Sequence, residues 1–189
     1  MCASCWDSIP PWTPLACDRW SGSVLISRAR AIGEYEGALR SIIHALKYDG
    51  RRTLARPLAA LMREHAGDLL DGVACAVPVP LHPARRRQRG FNQAADLAAH
   101  LGLPVVDALE RVRATATQAD LPAAQRHRNV RGAFSATSAA SELKGSVVLL
   151  VDDVSTTGAT LTACARALKD AGVEEVRALT AARVATVQR

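Results

Sequence analysis

Two adjacent carboxylates, Asp152 and Asp153, are followed closely by the hydroxyls of Ser155, Thr156, Thr157 and Thr160, with Gly158 set among them. Hydroxyls and main-chain amides at a helix start hold a phosphate well. Carboxylates cannot serve that phosphate directly, because like charges repel. They need another partner on the same ligand, either ribose hydroxyls or a divalent metal carried with the phosphates. A phosphorylated ribose bearing a pyrophosphate supplies all of these parts. A second group is cationic: Arg85, Arg86, Arg87 and Arg89 fall within five residues, and Arg126, Arg128 and Arg131 form a looser cluster. A third is the thiol group Cys2, Cys5 and Cys17.

The elements that must position these groups follow from patterning. Val147 to Val151 is an unbroken apolar run, the signature of a strand buried on both faces. The acidic pair stands at its carboxyl end. Leu161, Ala165 and Leu168 then recur at helical spacing between Ala159 and Lys169. The order is strand, acidic pair, hydroxyl-rich turn, helix. Further back, Val73 to Val79 reads as another strand, closed by Pro78 and Pro80. The basic run comes straight after it and reads as a loop, where α/β sheets place their ligands, with Gly90 permitting a turn. Asn92 and Gln93 open a helix that continues to His100. Leu39, Ile42, Ile43 and Leu46 form a buried helical stripe ended by Gly50. Leu54, Leu58, Leu61 and Met62 form another, with Pro57 implying a kink or a start near Arg56. Ser27 to Tyr35 is expected as a short edge strand, and Leu103 to Val106 and Val176 to Val184 as further strands. Lys47 falls in the last turn of the first helix, where a cation is favoured; a solvent-facing side chain is expected, with a role near the ligand as the alternative. Cys75 and Cys164 are expected as packed, inert thiols.

The stretch from Val147 to Thr160 also resembles the signature of type I phosphoribosyltransferases. Other segments resemble the ComF group of competence-related proteins: Val77-Pro78-Val79-Pro80-Leu81-His82-Pro83 with Arg89-Gly90-Phe91-Asn92-Gln93, and Asn129 to Phe134 preceded by Arg111, Arg113, Thr115, Gln118, Leu121 and Arg126. Tyr35, Lys47 and Tyr48 are similar to a further part of that pattern. The resemblance runs from about Gly33 to Val184. It implies a phosphoribosyltransferase fold that binds phosphoribosyl pyrophosphate with Mg²⁺. Asp152 and Asp153 would take the ribose hydroxyls, and Ser155, Thr156, Thr157, Gly158 and Thr160 the 5-phosphate. Val79, Pro80, Leu81 and His82 would form the pyrophosphate loop, flanked by Arg85 to Arg89. The polar segment from Leu109 to Phe134 corresponds to a hairpin that closes over substrate. Arg126, Arg128 and Arg131 would there meet the ligand, a neighbouring subunit or nucleic acid. The resemblance also implies a role in handling single-stranded DNA, with a competence helicase as partner. The hood that sets base specificity in purine or pyrimidine enzymes is not recognisable.

Relatives of this kind commonly open with a four-cysteine zinc module. Here Trp20 stands where the fourth cysteine is expected. Either Zn²⁺ takes a further ligand from Asp7, Asp18 or His44, or the module has lost its metal and Trp6, Trp12 and Trp20 pack together. The expected organisation is a cysteine-bearing appendage over residues 1–26 and an α/β domain over 27–189. In that domain a mostly parallel sheet carries helices on both faces.

Composition bounds the function classes. Apolar residues make up 49% and charged residues 22%, as in ordinary globular domains. With two Phe and two Tyr, the core must rest on Leu, Val, Ile and Ala. No apolar run reaches a membrane-spanning length. The first residues lack the basic and then apolar pattern of a signal peptide, so a cytoplasmic protein is expected. The net charge of +6 favours anionic partners. Only Phe91 and Phe134 stand near the basic segments in sequence, so a platform for stacking bases is not evident.

Overall fold

The computed structural model describes residues 6, 9, 23–113, 130 and 132–184. In chain order the elements are β1 (Arg28–Ala31), α1 (Gly37–Tyr48), α2 (Ala55–Ala66), β2 (Cys75–Pro78), α3 (Pro83–Arg89), α4 (Gln93–Ala98), β3 (Leu109–Arg111), β4 (Phe134–Ala136), β5 (Val147–Ser155), α5 (Ala159–Asp170) and β6 (Glu175–Arg183). Four parallel strands form one sheet in the order β1-β6-β5-β2. A separate antiparallel ribbon pairs β3 with β4.

The apolar run of β5 is the centre of the sheet, as its patterning requires. Val148, Leu149, Leu150 and Val151 have no solvent exposure. Successive side chains of a strand point to opposite faces. Leu149 and Val151 join a core built with α1, α2 and α4, while Val148 and Leu150 join one built with α5 and the ribbon. Leu39, Ile42, Ile43 and Leu46 are the buried stripe of α1, and Gly50 follows it at φ +63°. α2 starts at Ala55, which leaves Pro57 in its first turn, where a missing N–H costs nothing. Cys75 and Cys164 are buried, and burial holds both thiols above their ordinary value.

Sheet connectivity locates a crevice. From β5 the chain crosses through α5 to β6, on one side. From β2 it crosses through α4 to Val105, which bridges Ala76 on the opposite side. Neighbouring strands whose connections depart in opposite directions open a gap between their carboxyl ends, where α/β proteins bind ligands. The strand lengths widen it. β2 ends with Pro78 opposite Val151, whereas β5 continues to Ser155, paired there with β6 alone.

Four expectations change in detail. β5 runs past Val151, so the acidic pair lies inside the strand, because β6 still offers hydrogen-bond partners there. The strand expected over Leu103 to Val106 contracts to one bridge. Ala76 donates to the Pro104 carbonyl and Val106 to that of Ala76, but Pro104 has no N–H with which to extend the ladder. The edge strand expected over Ser27 to Tyr35 shortens to β1. The basic run is a helix and not a loop. His82 caps it, Pro83 occupies its first turn, and Gly90 ends it at φ +77°.

Cys2, Cys5, Cys17, Asp7 and Asp18 lie outside the described residues, as do Arg126, Arg128 and Arg131. Trp6 and Ile9 are described and pack against the α1–α2 side of the core. Among the described residues no helix is long and apolar enough to cross a membrane.

Candidate functional site

The end of β5 and the first turn of α5 enclose a small recess lined by Asp152, Val154, Ser155, Thr156, Gly158, Ala159, Thr160 and Leu161. Gly158 makes the turn possible. It precedes α5 at φ +74°, a left-handed conformation open to glycine and costly for other residues. The Oγ1 of Thr157 is buried and has no hydrogen-bond partner. A buried hydroxyl in that state normally has a task. Thr157 sits in the turn before α5, next to the recess-lining Thr156 and Gly158 but not itself in the lining.

The acidic pair divides across the strand. Asp152 faces the recess on the α5 side, and Asp153 points to the face covered by α1. Asp153 is 3% exposed and its amide donates to Asp152 Oδ1 at 2.9 Å. Burial first, and then the Asp153 carboxylate, push the Asp152 carboxyl up to about 8.

Lys47 corrects an expectation. It does not face solvent. Its Nζ lies 2.9 Å from Asp153 Oδ2, and the two side chains are 15% and 4% exposed. The last turn of α1 ends against the carboxyl end of β5, so the lysine stem runs inward and not out. Burial alone would lower the Lys47 ammonium. The Asp153 carboxylate more than offsets this, with Asp152 behind it, and the ammonium is raised above its ordinary value.

The segment after β2 forms the other lip of the crevice. Val79 donates to the Val151 carbonyl at 2.9 Å, which ties the segment to β5. Asn92 holds it from behind. Its Nδ2 donates to the Val79 carbonyl at 3.1 Å, while its Oδ1 accepts from the Ala94 amide and caps α4. His82 Nδ1 accepts from the Ala84 amide, so the imidazole serves as a helix cap in this structure. Pro80 and Leu81 complete the connection. Arg85, Arg86, Arg87 and Arg89 follow on α3, a helix with no buried residue.

Patterning missed two further cations at the crevice. One is Lys47. The other is Arg111 on β3, whose guanidinium lies over the Phe134 ring at 5.3 Å. Burial first, and then Arg85, hold Arg111 below its ordinary value, against the pull of Asp152. Both stand in the resembled family pattern, but neither hydrophobic nor charge patterning places them at the site, because each reaches it from an element distant in sequence. The aromatic expectation also changes. Phe91 and Phe134 are each 8% exposed and belong to the core. The ring beside the basic helix is Tyr48, which is 63% exposed, lies under the Arg89 guanidinium at 5.0 Å and meets His44 at 4.7 Å.

Residues 87–187 match the family described as phosphoribosyl transferase domain. The chain is 32% identical to competence protein F of Haemophilus influenzae, over 93% of this chain and 75% of that protein. It is 32% identical to the DNA utilization protein YhgH of Escherichia coli, over 93% of this chain and 74% of the relative. Competence protein ComFC of Streptococcus pneumoniae is 28% identical, over 88% of this chain and 73% of that protein.

Proposed function

The chain belongs to the phosphoribosyl transferase domain family and, within it, to the group of competence protein F, and from that premise we propose that it binds phosphoribosyl pyrophosphate with Mg²⁺ in the crevice between β5 and β2. The observation that carries this reading is the recess at the start of α5, where Asp152, Ser155, Thr156, Gly158 and Thr160 line one small space. The 5-phosphate would sit on Ser155, Thr156, Thr157, Gly158 and Thr160. Asp152 and Asp153 would take the ribose hydroxyls. The pyrophosphate would lie along Val79, Pro80, Leu81 and His82, within reach of Arg85 and Arg111.

Mg²⁺ fits as a companion of the ligand's phosphates. It commonly keeps water and phosphate oxygens and does not require a protein cage, and the described residues gather no cluster of three His, Cys, Asp or Glu. When bound, it would offset charge on the departing pyrophosphate. The reaction class is phosphoribosyl transfer: a nucleophile bonds to the anomeric carbon as the carbon–oxygen bond to pyrophosphate breaks. The chain's own part is positioning by the carboxylates and charge stabilisation by the arginines.

A second reading, binding of single-stranded DNA in a competence role, draws on the exposed arginine helix α3 with Tyr48 beneath its last turn. The names of the relatives point the same way. A competence helicase is the matching protein partner. The two readings are compatible, because α3 borders the crevice.

Calorimetric titration with phosphoribosyl pyrophosphate and Mg²⁺ tests the first reading. Asp152→Asn is the control, because it keeps the side-chain shape and leaves the Lys47–Asp153 pair intact. Saturable heat is expected for the wild type above about pH 8, where the Asp152 carboxyl is ionised, with at least about tenfold weaker binding for D152N there, the worth of one charge-assisted hydrogen bond. Equal heats in the two proteins, or none in the wild type, would overturn the assignment.

A further inference from the structure

Resting on that phosphoribosyl reading, we infer that Lys47 is a positioning residue of the site, holding the Asp153 carboxylate charged and fixed so that it meets the ribose hydroxyls beside Asp152. A carboxylate as buried as Asp153 cannot stay ionised without a partner. Its neighbour in sequence supplies another carboxyl and not a cation. The cation comes from α1, at 2.9 Å. Lys47 is itself placed by its surroundings. The next residue, Tyr48, is held between His44 and the Arg89 guanidinium, and Ile43 and Leu46 on the same helix are fully buried. The last turn of α1 is thus pinned to the core on one side and to α3 on the other. Without Lys47 the buried Asp153 carboxylate would have no cation beside it. The cheapest relief would be to turn it away, which removes an acceptor from the ribose.

The inference concerns the sugar hydroxyls and not the phosphate, so the readout is a preference between two sugars. Affinities for ribose 5-phosphate and 2-deoxyribose 5-phosphate are measured for the wild type and for Lys47→Met, Lys47→Gln and Lys47→Arg. The wild type should prefer the ribose sugar by about tenfold, the value of one charge-assisted hydrogen bond. K47M should bind the two sugars within about twofold of each other while keeping its affinity for the deoxy sugar. K47Q offers the carboxylate an amide donor, so it folds even where K47M does not, and should show the same loss. K47R retains the charge and should restore most of the preference. A wild-type preference persisting in folded K47M or K47Q would overturn the inference and reduce Lys47 to a structural counter-ion. A wild type that binds neither sugar phosphate would overturn the phosphoribosyl reading itself, a different result from a wild type that discriminates and variants that discriminate equally.

Discussion

Asp152 sits where burial and the Asp153 carboxylate both favour its protonated form, and its carboxyl is pushed up to about 8. An unfolded aspartate titrates near 4. Between those two values the folded chain keeps a proton that the unfolded chain has lost. Stability of the ligand-free protein therefore falls as pH rises across that window, and the loss is complete above it. Asparagine at this position removes the titration and keeps the shape. The melting temperature of D152N should match the wild type near pH 4 and exceed it progressively up to about pH 8. Parallel profiles for the two proteins would show that the carboxyl is not raised. A residue that weakens the empty protein and serves a ligand fits the usual opposition between stability and function. Lys47 and Asp153 belong to the same account: a buried pair is a poor source of net stability, whereas losing one member is costly. Such a pair at the mouth of a crevice is better explained by what it positions.

At the level of elements, the strand, turn and helix of β5 and α5 were legible in the sequence because their signals are local. An unbroken Val and Leu run, a Gly in a hydroxyl-rich turn and a helical apolar stripe each act within a few residues. The β3–β4 ribbon was legible as a polar excursion, although Leu109, Val130, Ala133 and Phe134 at its base are buried. Lys47 was not legible, because its position in a last helical turn suits solvent as well as a buried partner, and Asp153 lies most of the chain away. The extra length of β5 was hidden for a similar reason, since it depends on β6 continuing alongside. Asn92 shows one side chain joining two elements. It caps α4 and donates to the Val79 carbonyl. Asn92→Ala should cost about 2 kcal/mol in chemical denaturation, roughly one cap plus one side-chain hydrogen bond. It should also weaken phosphoribosyl pyrophosphate binding by loosening the lip after β2. Asn92→Asp keeps the cap acceptor but cannot donate to Val79, so it should recover about half of the stability and little of the affinity. Full recovery by N92D would show that the cap alone matters.

For the whole molecule, the parallel sheet sets a polar crevice between the ends of β5 and β2, and the sequence places its arginines along one lip. Residues 75–135 carry seven arginines in the clusters at 85–89 and 126–131, against the four acids Asp96, Asp107, Glu110 and Asp120. A stretch of sequence so biased attracts a polyanion, and α3 presents its four arginines on a helix with no buried residue. Single-stranded DNA should therefore bind along α3, with the acidic pair left aside, because Asp153 is buried against Lys47 and Asp152 lines the recess before α5. Replacing Arg85, Arg86, Arg87 and Arg89 together by glutamine should lower affinity for a short oligonucleotide. It should also reduce the slope of log affinity against log salt by about 0.7 for each phosphate no longer neutralised. Tyr48→Ala should cost about tenfold if a base stacks beside Arg89, since one such stack is worth on the order of 1–3 kcal/mol. Fluorescence anisotropy at two salt concentrations reads both effects. In the proposed arrangement Arg85 on α3 serves both ligands, so phosphoribosyl pyrophosphate with Mg²⁺ should displace DNA from the wild type, and D152N should resist that displacement while binding DNA normally. An unchanged affinity in the four-arginine variant would remove α3 from DNA binding, and displacement that is equal in D152N would show that competitor and DNA meet somewhere other than the crevice.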